Sequence, residues 1–255
     1  MATAICRGLL EKQVFKTDEI IASDVSHDAR RMFSDTTGIV CYDDNMKALQ
    51  SSPTVVLALK PQVARQALTP LYGKFQDKFL ISIAAGLSIC KLGEWIGSER
   101  IARVMPNTPV MVSMGASVYA CSATVCASDK KLVRKIFESV GITAEMSEDK
   151  LDAVTGLSGS GPAYVFEFIQ ALLDGAAAVG LDPQISMDLV LQTIMGATQM
   201  VQLKMGTPNE LRDAVTSPGG TTQAGLSVLK GTNFRHVIVQ VIQEATRRSI
   251  ELGRD

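Results

Sequence analysis

Two histidines, His27 and His236, are all the imidazole this chain has. They argue against a multi-histidine metal site and leave a Ser-His or Cys-His relay little to draw on, so each reads as a surface or helix-end residue. Five cysteines (Cys6, Cys41, Cys90, Cys121, Cys126) are an odd number without a C-x-x-C pair. Met1 is not followed by a charged region and an apolar signal core, and the combination reads as reduced and cytoplasmic. Neither sign of charge predominates: 25 basic and 26 acidic residues leave a net charge of -1, which gives nucleic acid or an anionic membrane no electrostatic reason to bind. A small-molecule ligand is the better expectation. Internal repeats and low-complexity segments are also absent, and 255 residues with 46% hydrophobic content suffice for two modest domains.

What is present is organised about residues 154–180, V-T-G-L-S-G-S-G-P-A-Y-V-F-E-F-I-Q-A-L-L-D-G-A-A-A-V-G. The Gly/Ser-rich opening predicts a turn, and Ser160 as N-cap with Pro162 in the first turn predicts the start of a helix. Between Ala163 and Val179 only Glu167, Gln170 and Asp174 are strongly polar. Such a helix, apolar around most of its circumference, belongs inside a helical domain or at a subunit interface. Its three polar residues and Gly175 argue against a membrane span.

Ahead of this helix, strands and helices alternate. A helix over 1–13 sets Ala4, Ile5 and Leu9 on one side, and apolar runs at 19–23, 54–59, 79–84, 101–105, 116–121 and 142–145 read as strands. Helices are predicted over 26–33, 61–71, 89–96 and 129–140. Continuously apolar strands separated by helices predict an α/β fold with a doubly wound parallel sheet covered on both faces. Behind it, Pro183 opens a helix to about residue 205, Thr207 caps a short helix to 215, and helices over 222–230 and 233–252 finish the chain. This all-α half is too short to bury its apolar faces alone, which points to oligomerisation.

Three punctuated segments fall at the carboxyl ends of predicted strands, where open parallel sheets bind ligands: L-K-P-Q at 59–62, S-I-A-A-G at 82–86 and R-V-M-P-N-T-P at 103–109. Each alone also reads as an ordinary turn. With G-L-S-G-S-G-P-A-Y at 156–164 and S-P-G-G-T-T at 217–222, in this order along the whole chain, the sequence closely resembles the pyrroline-5-carboxylate reductases, enzymes that make proline by reducing a cyclic imine with NAD(P)H.

The resemblance implies a Rossmann-type dinucleotide-binding domain over 1–148 and a helical substrate-binding and dimerisation domain over 149–255. It implies homodimers, which in the family often assemble into decamers. It places the substrate carboxylate at Gly219, Gly220, Thr221 and Thr222, just before a helix, where free N–H groups and the helix dipole favour an anion. The Thr222 hydroxyl matches the position facing the imine nitrogen; a helix N-cap is its plainer role. Lys60, Pro61, Ala84, Ala85 and Asn107 would line the cofactor side, and Ser160 and Gly161 would close the cavity. Ser23 and Asp24 follow the first strand, where the adenine ribose would sit. An acid there favours NADH, whereas Ser23, Ser26, Arg30 and Arg31 could receive the 2′-phosphate of NADPH, the cofactor favoured here. Hydride transfer to an imine needs positioning and a hydrogen-bond partner at nitrogen, with no metal and no nucleophile.

In one respect the sequence departs from the family. The family begins with a strand and a G-x-G-N-M-A loop; Met1 to Ile5 match only the end of that loop and the helix behind it, so the 1–148 domain lacks its first strand. The expectation is a working enzyme that begins upstream of Met1 and weak NAD(P)H binding by the chain as written. The alternative is a non-catalytic oligomeric pseudoenzyme. A 3-hydroxyacid dehydrogenase would show a lysine in its long interdomain helix, and 162–180 contains none.

Overall fold

The computed structural model describes residues 1–254. They fall into two compact units: Met1–Pro162 together with the chain from Gln243 onward, and Ala163–Ile242.

In the first unit, α1 (Ala2–Glu11) buries Ile5, Gly8 and Leu9, the i, i+3, i+4 pattern of a core-facing helix. β1 (Ala22–Ser23) is shorter than the apolar run at 19–23 suggests, because Thr17–Glu19 closes into a 3-10 turn with the Glu19 carboxylate accepting the Lys16 N–H at 2.8 Å. α2 (His27–Thr37) is capped by Ser26 and stopped by Gly38 at φ 71. Two elements that the hydrophobic pattern does not announce follow, β2 (Cys41–Tyr42) and α3 (Asn45–Ser51). Then come β3 (Thr54–Leu57), α4 (Pro61–Leu68), β4 (Phe79–Ser82), α5 (Ile89–Ile96) and β5 (Ile101–Met105). β6 (Gly115–Cys121), α6 (Ala127–Glu138), β7 (Gly141–Glu145) and α7 (Leu151–Val154) complete the run.

The sheet is in two pieces. β1 pairs in parallel with β2, and a separate five-stranded sheet has the order β3-β4-β5-β6-β7. All its pairs are parallel except β5–β6, which is antiparallel with Val104 opposite Tyr119. The expectation of a wholly parallel sheet is corrected at this one pair. α4, α5 and α6 carry the chain back between parallel strands, but only a 3-10 segment, Thr108–Val112, joins β5 to β6, too short for a crossover. Alternation along β4 divides the core. Leu80 joins Leu57, Ala64, Leu68, Leu92 and Ile96 on one face, while Phe79 and Ile81 meet Ile5, Val104, Tyr119, Val133 and Phe137 on the other. Arg100 closes the edge of the core with a two-pronged bond to the buried Asp129 at 2.8 and 2.6 Å, which holds that carboxyl below the usual carboxylate range.

The chain enters the second unit as a helix. Ser160 was expected to cap a new helix, but it has φ -85 and ψ -17, already right-handed, and its N–H donates to the Thr155 carbonyl at 2.8 Å. α7 therefore runs through a π-helical turn, Thr155–Gly159, into α8 (Gly161–Ala178), and no cap is needed where the backbone arrives helical. α9 (Pro183–Gln202), α10 (Pro208–Ala214), α11 (Thr221–Gly231) and α12 (Phe234–Arg254) follow. Asp182 caps α9 through the Gln184 and Ile185 N–H groups, and Thr207 with Glu210 forms a capping box on α10. No residue of α8 is buried within the chain, and Val165, Phe166, Phe168, Ile185, Leu189 and Met195 are all exposed. An apolar surface this extensive marks a contact face. Among the described residues no helix is long and apolar enough to cross a membrane.

Candidate functional site

Four of the five residues assigned to the cofactor side gather at the carboxyl ends of β3 and β4 and in the loops behind them; the fifth, Asn107, follows β5. Lys60 is the N-cap of α4 with Pro61 at its first position, so the helix starts where β3 ends. Lys60 is exposed, and its ammonium has no partner among the described residues. Behind β4, the buried Ser82 hydroxyl accepts the Ala84 N–H at 3.3 Å and folds the chain into the Ala85–Gly86 turn, with Gly86 at φ +77, Ala85 exposed and the predicted cofactor residue Ala84 instead buried in the core. Gly86 also admits the end of α12: a Cβ built on Gly253 would lie 2.9 Å from the Gly86 carbonyl oxygen. A half-buried Pro61, an exposed Ala85 and one unpaired ammonium at the ends of two paired strands suit a nicotinamide nucleotide, which offers a ring to cover and ribose or phosphate oxygens to bond.

Asn107 is placed differently. Its side chain is buried, and both of its ends are bonded inside the protein: Nδ2 donates to the Ser158 carbonyl at 3.1 Å and Oδ1 accepts the Ala116 N–H at 2.9 Å. It ties the loop after β5 to the start of β6 and to the π turn that leads to Ser160 and Gly161. Gly159 of that turn packs on β5, since a Cβ there would lie 2.5 Å from Met105 Cε.

Arg103, which sequence reasoning passed over inside R-V-M-P-N-T-P, is 6% exposed and lies 3.4 Å from Glu148 and 3.6 Å from Asp152. Glu148 also accepts the Ile89 N–H at 2.7 Å, and Ser249 of α12 donates to Asp152 at 2.7 Å. One buried guanidinium thus secures β5, the start of α5, α7 and the last turns of α12. A cation inside an otherwise apolar strand was the available signal.

At the expected ribose position, the Ser23 hydroxyl donates to Asn45 Oδ1 at 2.9 Å, and Asp24 Oδ1 accepts the Ser26 N–H at 2.8 Å. Arg30 is folded back on the Asp24 and Val25 carbonyls at 2.9 and 3.0 Å, and Arg31 lies 3.7 Å from Asp35. The second oxygen of Asp24 is free to meet a ribose hydroxyl, whereas both arginines would have to turn to meet a phosphate. A concavity of about 820 Å³ elsewhere on this unit includes Glu94, Glu99 and Glu148 and holds none of the motif residues. Its carboxylates oppose a dinucleotide's phosphates.

In the second unit, Gly220 is the N-cap of α11, with Thr221 and Thr222 its first two residues. The N-cap role weighed for Thr222 therefore belongs to Gly220. Gly219 turns the chain at φ +73, and a Cβ on Gly220 would lie 2.5 Å from Ser217 Oγ. The N–H of Gly219 is taken by Gln223 Oε1 at 2.6 Å and that of Gly220 by the Ser217 carbonyl at 3.0 Å. The open donors are one turn further on: the amides of Thr221, Thr222 and Gln223 have no partner among the described residues, and neither does the half-buried Thr222 hydroxyl. Gln223, absent from the sequence-based set, shapes this loop.

A mainly parallel sheet with bare loops at its strand ends, joined to a helical unit whose α11 presents open amides, defines an oxidoreductase of the Rossmann type that works with a nicotinamide cofactor. Two family models match: "NADP oxidoreductase coenzyme F420-dependent" over residues 1–86 and "Pyrroline-5-carboxylate reductase dimerisation" over residues 148–252. The pyrroline-5-carboxylate reductase of Arabidopsis thaliana is 39% identical over 100% of this chain and 92% of its own length. Among solved structures, a pyrroline-5-carboxylate reductase from Coxiella burnetii is similar with a TM-score of 0.92 at 32% identity, covering 98% of this chain and 94% of that one. The Plasmodium falciparum pyrroline carboxylate reductase, solved with NADP bound, has a TM-score of 0.89 at 34% identity with the same coverage. The chain belongs to the pyrroline-5-carboxylate reductase family.

Proposed function

We propose that the protein reduces 1-pyrroline-5-carboxylate to L-proline, the closing reaction of proline biosynthesis, with NADPH as the favoured reductant and NADH as the alternative. The observation that carries this reading is the start of α11, where three unpartnered amides and an unpartnered hydroxyl occupy one helix N-terminus. The amides and the positive end of the helix dipole hold the substrate carboxylate. The Thr222 hydroxyl, on the same turn, bonds the imine nitrogen and keeps its proton in place while the carbon becomes saturated. The cofactor supplies the hydride. Lys60, Pro61 and Ala85 hold and orient it, and Ser160 and Gly161 shield the reacting carbon from water. Purified protein mixed with NADPH and the cyclic imine should consume reduced nicotinamide and form proline in equal amounts; cofactor consumption without proline would sink the reading.

A second reading, the non-catalytic oligomer, is favoured by the division of the sheet into a β1–β2 pair and a separate β3–β7 sheet. Titration calorimetry separates the two, since only a reductase needs NADPH to bind this chain.

Residues 1–148 act in this scheme as the dinucleotide-binding domain and 149–255 as the substrate-binding and dimerisation domain. The exposed apolar side chains of α8 and α9 are covered by a second copy, and such dimers can assemble into a decamer. Gly175 on α8 has open space around it within the chain, so Gly175→Glu disturbs no internal packing. It should nevertheless convert the dimer to monomer or aggregate in light scattering at micromolar concentration. A Gly175→Glu variant that stays dimeric would place the interface elsewhere.

A further inference from the structure

The Ser158 carbonyl lies in the π turn, and in an uninterrupted α-helix it would accept the N–H of residue 162. That residue is Pro162, which has none to give. Asn107 supplies the donor instead, through Nδ2 at 3.1 Å, while its Oδ1 is committed to the Ala116 N–H. A buried primary amide that donates one way and accepts the other has no substitute among the remaining side chains of its size: leucine does neither, and a carboxylate only accepts. We infer that Asn107 is a positioning residue that fixes the π turn, and through it Ser160 and Gly161, rather than a contact of the cofactor. The inference rests on the reading above, in which Ser160 and Gly161 line the reaction cavity. Ser160 is two residues beyond the carbonyl that Asn107 holds, with its own N–H bonded to Thr155 across the wide turn. Loosening Ser158 therefore moves both residues while leaving the motif loops behind β3 and β4 in place.

The test uses Asn107→Asp and Asn107→Ala. An ionised aspartate still accepts from Ala116 but turns a lone pair on the Ser158 carbonyl; a protonated one donates to it and restores the pattern. Next to a carbonyl and away from water its ionisation is disfavoured, so the proton returns as pH falls through the weakly acidic range. The charged groups on the elements joined here are Arg103 on β5 and Asp152 on α7, which face each other; β6, the 3-10 segment 108–112 and residues 155–161 carry none. Two readouts are expected. Asn107→Ala should lower kcat about tenfold, with the KM for NADPH changed less than about threefold. Asn107→Asp should recover at least about fivefold in kcat relative to the unmodified protein between pH 8 and pH 6, while Asn107→Ala shows no such recovery. Independently of turnover, hydrogen exchange of amides 155–161 should quicken in both variants at pH 8 and be rescued in Asn107→Asp alone at pH 6. Unchanged exchange in that segment overturns the inference, as does a KM effect with kcat intact, which would mean direct contact with the cofactor. A protein that turns over no imine but shows the exchange pattern would remove the proposed reaction and leave the positioning role standing.

Discussion

Thr222→Ala should lower kcat for imine reduction by about 10²-fold, the lower range for losing a positioned proton-handling group. The structure makes this a cleaner experiment than the sequence alone promised, because Thr222 caps nothing. Gly220 holds the N-cap position, and the Thr222 hydroxyl bonds to no described residue. Removing it should leave stability within about 0.5 kcal/mol, as for an ordinary surface change. The KM for the imine should rise little, since the open amides of Thr221, Thr222 and Gln223 survive the substitution. Serine at the same position should return most of the rate. A loss of less than about threefold in kcat would reduce the residue to a bystander at the helix start.

Arg103→Met should cost about 3 kcal/mol of folding stability. The side chain is 7% exposed and lies against two carboxylates, Glu148 and Asp152, whose side chains are 33% and 24% exposed. Methionine fills much of the volume but leaves both anions without their cation. That penalty falls at the lower end of the range for breaking a buried pair, because each carboxylate keeps some contact with water. The exposed Arg7–Glu11 pair on α1 provides the comparison: Arg7→Ala should change stability by only about 0.3–0.5 kcal/mol. Denaturant titrations of the two variants decide the matter, and equal midpoints would mean that Arg103 is as well screened as a surface arginine.

Much of the first unit was legible because its punctuation is local. Residues 89–96 and 101–105 match α5 and β5 at both ends, with Ser88 capping the helix and Gly97 in the left-handed region stopping it. β2 and α3 escaped notice because a two-residue strand has no period to read and Asn45–Ser51 buries only Leu49. Ser160 misled for a different reason: serine, glycine and proline are the signals of a helix start, and they serve equally well in a wide turn inside a continuing helix. The candidate site was legible as a set of segments, since Lys60-Pro61, Ala84-Ala85 and Gly219 to Thr222 sit where strands end or a helix begins. The hydrogen bonds around those residues were not. Asn107 reaches Ser158 across 51 positions of sequence, and Gln223 takes the Gly219 amide that was expected to be open. Neither partner follows from spacing.

The π turn at Thr155–Gly159 holds one residue more than a regular helical turn would. A wide turn takes up its extra residue within one circuit of the axis, closing through the Ser160 N–H and the Thr155 carbonyl, so the chain leaves it still helical. Deleting one residue between 155 and 159 should therefore shrink the turn to a regular one without altering the sequence of α8. The surplus residue is a length of chain stored in a single turn, and what its removal changes is the set of carbonyls that the turn leaves open, the Ser158 carbonyl held by Asn107 among them.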